Sequence, residues 1–245
     1  MSIAALIAAR VRPGGRVPFV IGIAGAQGSG KSTVARELGV LLDAPVLSLD
    51  DLYLDGAARA RLAASIHPLL RTRGVPGTHD VAPGLELIER IGREQVTLPR
   101  FDKTRDEPGA GEAAGPAKVL ILEGWCLGAR PQTRAELIEP VNALEREHDP
   151  DGIWRRWVNA RLAEYQPLFA RIDFLTFLAA PGFDVVADWR IEQERNAQGP
   201  MTAAGIRTFV QHYQRITEHM LRDTPARADL TVRLGAGRKV IGVED

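Results

Sequence analysis

Eight consecutive residues, Gly25-Ala26-Gln27-Gly28-Ser29-Gly30-Lys31-Ser32, constrain this chain more than any other feature of it. They fill every fixed position of the pattern G-x-x-x-x-G-K-[ST], and Thr33 follows. An apolar run ending at Ala24 precedes them and a helical pattern from Lys31 to Leu42 follows, which is the strand-loop-helix setting the pattern needs in order to wrap phosphates. Glycines let the backbone approach an anion with no Cβ in the way, and the N–H groups at the start of the helix aim partial positive charge at it. In that geometry Lys31 bridges the β- and γ-phosphates and Ser32 binds Mg²⁺. A nucleotide site is therefore predicted at Gly25, Ala26, Gln27, Gly28, Ser29, Gly30, Lys31, Ser32 and Thr33, with ATP and Mg²⁺ as its ligands.

Such a loop has to hang from a buried strand. Five short apolar runs qualify: Val17 to Ala24, Pro45 to Leu49, Lys118 to Leu122, Phe174 to Ala179 and Leu230 to Leu234. They lack polar alternation, and helical patterns separate most of them, which predicts a doubly wound α/β sheet of about five parallel strands with helices on both faces. Apolar residues recur at helical spacing in Lys31 to Leu42, Gly152 to Phe169 and Ala203 to Leu221, with Asp151 and Thr202 as N-caps of the last two. Ile3 to Ala9 reads as a short amphipathic helix packed on the domain. The stretch from Asp55 to Ala117 is rich in Gly and Pro, so much of it is expected to be loop. An insertion of that length between strands tends to be functional. The whole chain, 1–245, reads as one decorated domain.

Charge and cysteine usage narrow the partners. A formal net charge of zero removes the basic field a nucleic-acid binder needs. Cys126 is the only cysteine, so no intramolecular disulfide forms and a cytoplasmic location fits. No segment approaches the roughly 20 apolar residues that span a bilayer, and the arginines near the N-terminus follow its apolar run instead of preceding it. A small-molecule substrate with no nucleic acid and no membrane is expected, for a monomer or a homodimer.

A phosphate loop of this type works with carboxylates at the C-terminal ends of neighbouring strands. Asp50 and Asp51 close the second apolar run and Glu123 closes the third. Asp50 suits a general base that takes the proton of an attacking hydroxyl, while Glu123 suits Mg²⁺, directly or through water. As turn formers and caps, these acids also have a purely structural reading. No Asn-Lys-x-Asp guanine-reading element follows a strand, which argues against a GTPase. Polar clusters at Arg71 to Asp80 and Arg100 to Asp106 suit a small anionic substrate.

Several segments, Ser48-Leu49-Asp50-Asp51-Leu52-Tyr53-Leu54, Arg71-Thr72-Arg73-Gly74-Val75-Pro76-Gly77-Thr78-His79-Asp80, Pro99-Arg100-Phe101-Asp102-Lys103 and Leu122-Glu123-Gly124-Trp125-Cys126-Leu127-Gly128, also carry a family resemblance. So do Trp154-Arg155-Arg156, Tyr165-Gln166 and Trp189-Arg190-Ile191-Glu192-Gln193-Glu194. Together they resemble the D-glycerate 3-kinase group, P-loop kinases related to uridine kinase, phosphoribulokinase and pantothenate kinase. The resemblance implies ATP-dependent phosphorylation of D-glycerate at its terminal hydroxyl. It implies Asp50 as the catalytic aspartate, Lys31 and Ser32 on phosphates and metal, and Glu123 as the second acidic residue, with Asp50 also near the metal. Asp51, Tyr53, Arg71, Arg73, His79, Asp80, Asp102 and Lys103 fall in motifs expected to line the acceptor pocket, making residues 55–117 an acceptor-binding insertion. Arg190 falls where related kinases carry a lid arginine, in a lid region of about 183–200. One departure stands out: the group has an Asp-Arg pair after Phe-Asp-Lys, whereas this chain reads Thr104-Arg105-Asp106-Glu107, so another short hydroxy acid or a polyol is the alternative acceptor.

Other residues are read as structural. His67, His148, His212 and His219 lack partners at metal-ligand spacing and are expected at the surface or in caps. Cys126 is expected to be a small buried apolar residue, and Trp125, Trp154, Trp157 and Trp189 to pack helices on the sheet. The turn Leu234 to Arg238 is a positional candidate for the base pocket. Against the metabolite kinase stand two readings, a regulatory or assembly ATPase with no small acceptor and a non-catalytic nucleotide-binding scaffold. Neither calls for the long insertion together with Asp50, Lys31 and Glu123.

Overall fold

The computed structural model describes residues 1–196 and 199–245. In chain order they form α1 (Ile3–Arg10), β1 (Phe19–Gly25), α2 (Lys31–Leu42), β2 (Val46–Ser48), α3 (Gly56–Ser65), α4 (Val81–Ile91), β3 (Val96–Leu98), β4 (Phe101–Asp102), β5 (Glu107–Pro108), β6 (Glu112–Ala114) and β7 (Val119–Gly124). There follow α5 (Ala143–His148), α6 (Ile153–Phe169), β8 (Phe174–Ala179), α7 (Asp184–Asn196), α8 (Ala203–Asp223), β9 (Leu230–Leu234) and β10 (Val240–Glu244).

The main sheet has the order β10-β9-β8-β1-β7-β2. All its pairings are parallel except the β9–β10 hairpin. The five parallel strands are the five apolar runs. The sixth, β10, lies outside the five expected runs: it holds the short apolar stretch Val240-Ile241-Gly242-Val243 but is mostly exposed, and Gly235 N–H closes its turn onto Lys239 O at 2.8 Å. Side chains alternate across β1. Val20 and Ala24 join α4, α6 and α8 in one core, while Phe19, Ile21 and Ile23 join α1, α2 and α7 in the other. The chain leaves β1 toward β2 on one side, and β8 and β9 lie on the other, so the loop after β1 opens at the topological switch point.

Two local expectations are refined. The loops of the insertion frame two helices and two small hairpins that its Gly and Pro content does not reveal, since several of those residues sit at caps and first helical turns where they do not break the element. Pro83 falls in the first turn of α4, and a Cβ on Gly84 would come within 2.5 Å of Leu52 Cδ1, so that glycine is needed for close packing. At the start of α6 the cap is Asp149 and not Asp151: its carboxylate accepts the N–H groups of Trp154 at 2.8 Å and Arg155 at 3.1 Å. Thr202 caps α8 as expected, accepting Gly205 N–H at 3.1 Å.

The remaining structural residues sort by packing. His212 is buried beside Trp154, which corrects the surface or capping expectation, and burial pushes its pKa down to about 4. His67 caps the short 3-10 turn Pro68–Arg71. Cys126, Trp125 and Trp154 are buried in the core with α4, α6 and α8, against which Trp157 also packs, and Trp189 is buried in the other core. A buried ion pair, Arg215 Nη2 to Glu145 Oε2 at 2.6 Å, ties α8 to α5 and so fixes the helix that carries Tyr213. Among the described residues no helix is long and apolar enough to cross a membrane.

Candidate active site

The loop between β1 and α2 takes its shape from two left-handed glycines. Gly28 (φ 74) and Gly30 (φ 90) adopt backbone that a side chain would strain. A Cβ on Gly28 would lie 2.6 Å from Trp189 Cβ, so α7 packs directly on the loop there, whereas nothing lies within 4 Å of the corresponding position on Gly30. The loop borders a cleft of about 490 Å³ lined by Gly28, Lys31, Ser32, Gln193, Asn196 and Arg238. Ser29 Oγ and Gln27 Oε1 are buried without a partner among the described residues. The cleft thus has open space over Gly30 and a helix N-terminus beneath it, both suited to phosphates.

Beside that cleft runs a chain of oxygens. Ser32 Oγ and Ser48 Oγ each donate to Glu123 Oε1 at 2.9 Å, and Ser48 Oγ accepts Asp50 N–H at 3.3 Å. Glu123 Oε2 is buried and unpartnered among the described residues. An acceptor left bare at this depth costs free energy unless something positive meets it, so Ser32 and Glu123 form a donor set that fits a hard divalent cation. Ser48 is a residue that motif reading missed; its only signal is that it precedes the aspartates in the strand-end segment.

Asp50 sits on a 3-10 turn, Leu49–Leu52, directly after β2. Its Oδ2 lies 2.6 Å from Lys103 Nζ and its Oδ1 accepts the Tyr53 hydroxyl at 2.7 Å. Burial alone would raise the Asp50 pKa. The Lys103 and Lys31 ammonium groups, with hydrogen bonds from Lys103 and Tyr53, outweigh it and hold the carboxyl well below the usual carboxylate range. The same pairing, set against desolvation, raises the Lys103 pKa, and burial raises that of Tyr53.

Tyr53 also links Asp50 to the insertion. Its ring lies 4.6 Å from that of His79 and 5.1 Å edge-on from Phe101. His79 is buried, its Nδ1 is 2.7 Å from the Tyr165 hydroxyl, and burial lowers its pKa to about 4, so its imidazole is neutral at pH 7. The segment Arg71 to Asp80 is pinned by its glycines. Gly74 (φ 117) lies under Tyr213 and its carbonyl accepts Trp125 Nε1–H at 2.8 Å, while Gly77 (φ 93) lies against Trp157 and donates to the Tyr165 hydroxyl at 2.9 Å. Tyr165 falls in a segment that carries the family resemblance, but its role does not show in the sequence, and Tyr213 has no signal beyond helical spacing, because the partners of both are more than eighty residues away.

The residues named from sequence therefore divide. Tyr53, His79 and Lys103 gather around Asp50, and Arg73 lies over the Tyr53 and Phe101 rings at 5.9 and 5.6 Å. Asp51 turns elsewhere, accepting Phe101 N–H at 3.0 Å and pairing with Arg100 at 3.1 Å. With the exposed Asp80 it borders a separate cleft of about 710 Å³ that contains no P-loop residue. Asp102 folds onto its own turn and pairs with Arg105 at 2.9 Å, and Arg71 is exposed at the end of the 3-10 turn. Arg190, on α7, pairs with Glu194 at 2.7 Å. Of the region 183–200, residues 197 and 198 lie outside the described residues. The turn after β9 does reach the P-loop: Arg238 Nε donates to Gly28 O at 2.8 Å and its guanidinium lies 5.6 Å from the Trp189 ring.

Known proteins share this architecture. No family model matches the chain. Uncharacterized kinase mug58 of Schizosaccharomyces pombe is 34% identical over 225 residues, covering 82% of this chain and 80% of the yeast protein. The chloroplastic D-glycerate 3-kinase of Arabidopsis thaliana is 28% identical over 221 residues, which are 80% of this chain and 46% of the plant protein. The solved structure of D-glycerate 3-kinase from Cryptococcus neoformans superposes with a TM-score of 0.75 at 26% identity, over 99% of this chain and 94% of that one.

Proposed function

Because this chain belongs to the D-glycerate 3-kinase group of P-loop kinases, we propose that it transfers the γ-phosphate of ATP to a hydroxyl of a small hydroxy acid, with D-glycerate the acceptor and 3-phosphoglycerate the product. The observation that carries this reading is the ionised Asp50 held between Lys103 and Tyr53 and joined through Ser48 to Glu123 and Ser32.

In this reading Asp50 accepts a hydrogen bond from the attacking hydroxyl and aligns its oxygen with the γ-phosphorus. The new P–O bond forms as the bond to the β-γ bridging oxygen breaks, ADP departs, and the hydroxyl proton passes to Asp50 and on to water. A carboxylate with so low a pKa is a weak base, which suits a loose transition state in which the proton moves late and positioning does most of the work. Lys31 lies against the β- and γ-phosphates. Ser32 and Glu123 would hold Mg²⁺, with Asp50 beside it, and the ion when bound neutralises charge on the phosphate oxygens. Arg190, released from Glu194, would reach the phosphates from α7, and Gln27, Ser29 and Thr33 complete the nucleotide cradle with Gly25, Ala26, Gly28 and Gly30. The acceptor side is supplied by Tyr53, next to the strand-end turn, and by His79 and Lys103 of the insertion. A lone buried cysteine fits a reducing, cytoplasmic setting.

The test is ADP release from Mg-ATP with D-glycerate, glycolate, glycerol, uridine and pantothenate as acceptors, with Asp50→Ala alongside. We expect a glycerate-dependent rate that falls in the variant by about 10²- to 10⁴-fold while nucleotide binding persists. Slow hydrolysis indifferent to every acceptor would overturn the reading in favour of an ATPase without a small acceptor.

A further inference from the structure

Lys103 and Lys31 act directly on Asp50, and the other cations of the insertion and of α7 mostly pair with carboxylates of their own. Lys103 is spent on Asp50 itself at 2.6 Å, Arg190 on Glu194 at 2.7 Å, and Arg105 on Asp102 at 2.9 Å. His79 is neutral, and Arg71 is exposed on the far end of its turn. Arg73 is set apart by position: its guanidinium lies over the ring of Tyr53, whose hydroxyl binds Asp50. Its Nη1 donates to Asp106 Oδ1, while its Nε and Nη2 have no partner among the described residues. A guanidinium has five N–H donors in a planar fork, so one edge can be anchored while the other takes a carboxylate in two parallel hydrogen bonds.

The anchoring is elaborate. Asp106 ends the turn of the β4–β5 hairpin in left-handed backbone (φ 58), a conformation aspartate adopts readily in turns, and this aims its carboxylate back across the insertion. Its carboxylate is shared: Oδ1 takes Arg73 and Oδ2 takes Nη2 of Arg59, a guanidinium on α3 that is 2% exposed. Arg59 also donates to Leu54 O at 2.6 Å and to Asp106 O at 3.1 Å. One carboxylate thus serves two guanidiniums, and the buried Arg59, also bonded to Leu54 O and Asp106 O, holds Asp106 in place. Meanwhile the Arg73 backbone is held by the Tyr213 hydroxyl, which donates to Arg73 O at 2.8 Å, and its guanidinium lies over the Tyr53 ring whose hydroxyl binds Asp50. The two ends of a short hydroxy acid would thus meet groups fixed on the same tyrosine.

We propose that Arg73 binds the carboxylate of the acceptor, and that Asp106, locked between Arg59 and Arg73, is the positioning residue that presents it. This deepens the kinase reading and rests on it. It also gives the reversed order Arg105-Asp106 a physical sense: the arginine of the pair turns back onto Asp102, and the aspartate orients a guanidinium from another segment of the insertion. The acceptor class follows. This site selects hydroxy acids over uncharged polyols or amides of the same length.

The experiment compares D-glycerate with its uncharged amide, at saturating Mg-ATP, for the wild type, Arg73→Met, Arg73→Lys, Asp106→Asn and the double variant Arg59→Met/Asp106→Asn. The double variant removes the buried guanidinium together with its partner and so separates a folding defect from lost positioning. Two charge-assisted bonds predict that Arg73→Met lowers kcat/KM for glycerate by about 100-fold, mainly through KM, and leaves the amide within about threefold. Arg73→Lys restores part of the loss. Asp106→Asn and the double variant raise KM for glycerate by about tenfold with kcat and the KM for ATP unchanged. The same glycerate-to-amide ratio in wild type and Arg73→Met would overturn the assignment. So would Asp106 variants that lose kcat and ATP affinity in equal measure. A wild type that phosphorylates neutral acceptors preferentially, in an Asp50-dependent manner, keeps the kinase reading and overturns the anion anchor; a wild type that phosphorylates none overturns both.

Discussion

The nucleotide loop and the proposed acceptor side around Asp50 are built in opposite ways. On the nucleotide side, nine consecutive residues and the start of one helix form the cradle, and its donors are backbone N–H groups set by two left-handed glycines. On the acceptor side, Asp50, Tyr53, Arg73, His79 and Lys103 come from a strand end, a pinned loop and a hairpin, and they are held by side-chain partners on α3, α6 and α8. The cradle depends on what its residues lack, namely a Cβ. The acceptor side depends on charges that hold one another in place. Backbone geometry survives most distant substitutions, whereas a network of paired charges fails when one member leaves a buried partner unmatched.

That contrast can be broken most severely at Gly28. A side chain there meets left-handed backbone and lies within 2.6 Å of Trp189 Cβ and 2.9 Å of its backbone carbon. Gly28→Val is expected to cost about 2–4 kcal/mol of stability and to weaken nucleotide binding by more than about tenfold. Thermal denaturation and nucleotide titration measure both, and an unchanged affinity would mean that the cradle is not set by its glycines.

Lys103→Met sharpens the other half of the contrast. The folded Asp50 pKa is depressed, so its ionised form contributes stability above the ordinary carboxylate value near 4, and that contribution is lost as pH falls through the folded pKa. Removing Lys103 leaves burial to raise the pKa with less to oppose it. The acid limb of the kcat/KM profile, which the wild type should not show above about pH 4, then moves to higher pH. A profile that keeps its position in the variant would show that Lys103 does not govern Asp50. The smallest effect is expected at Ser48, whose hydroxyl joins the two sides: Ser48→Ala should raise the KM for Mg-ATP by only a few-fold, about 1 kcal/mol. A loss as large as that of Asp50→Ala would make the serine part of the machinery and not a brace.

How much was legible follows the same division. The strands that became β1, β7 and β8 are almost wholly buried and read as apolar runs, and β2 and β9 as shorter ones; β10, whose apolar residues Val240, Ile241 and Val243 are exposed at the sheet edge, was not among the expected strands. The cradle was visible because its function needs particular residues at consecutive positions. His212 was misjudged because burial of a helical histidine depends on Trp154, some fifty-eight residues earlier in the chain, and no local pattern encodes that neighbour. About half of the insertion is loop, but its two helices and two hairpins could not be placed from Gly and Pro content alone, because at first turns, caps and hairpins these residues are compatible with regular structure.

The sequence by itself determined the parallel sheet, the phosphate loop at its switch point and the carboxylates at the strand ends, because burial pattern and backbone permissiveness are properties of short segments. Only the tertiary structure decided which cations face Asp50, which hydroxyl binds it, and that Asp106 stands between Arg59 and Arg73. The physical reason is that a charge acts on whatever lies within a few ångströms of it, and across this site those neighbours are brought together by the packing of helices far apart in the chain.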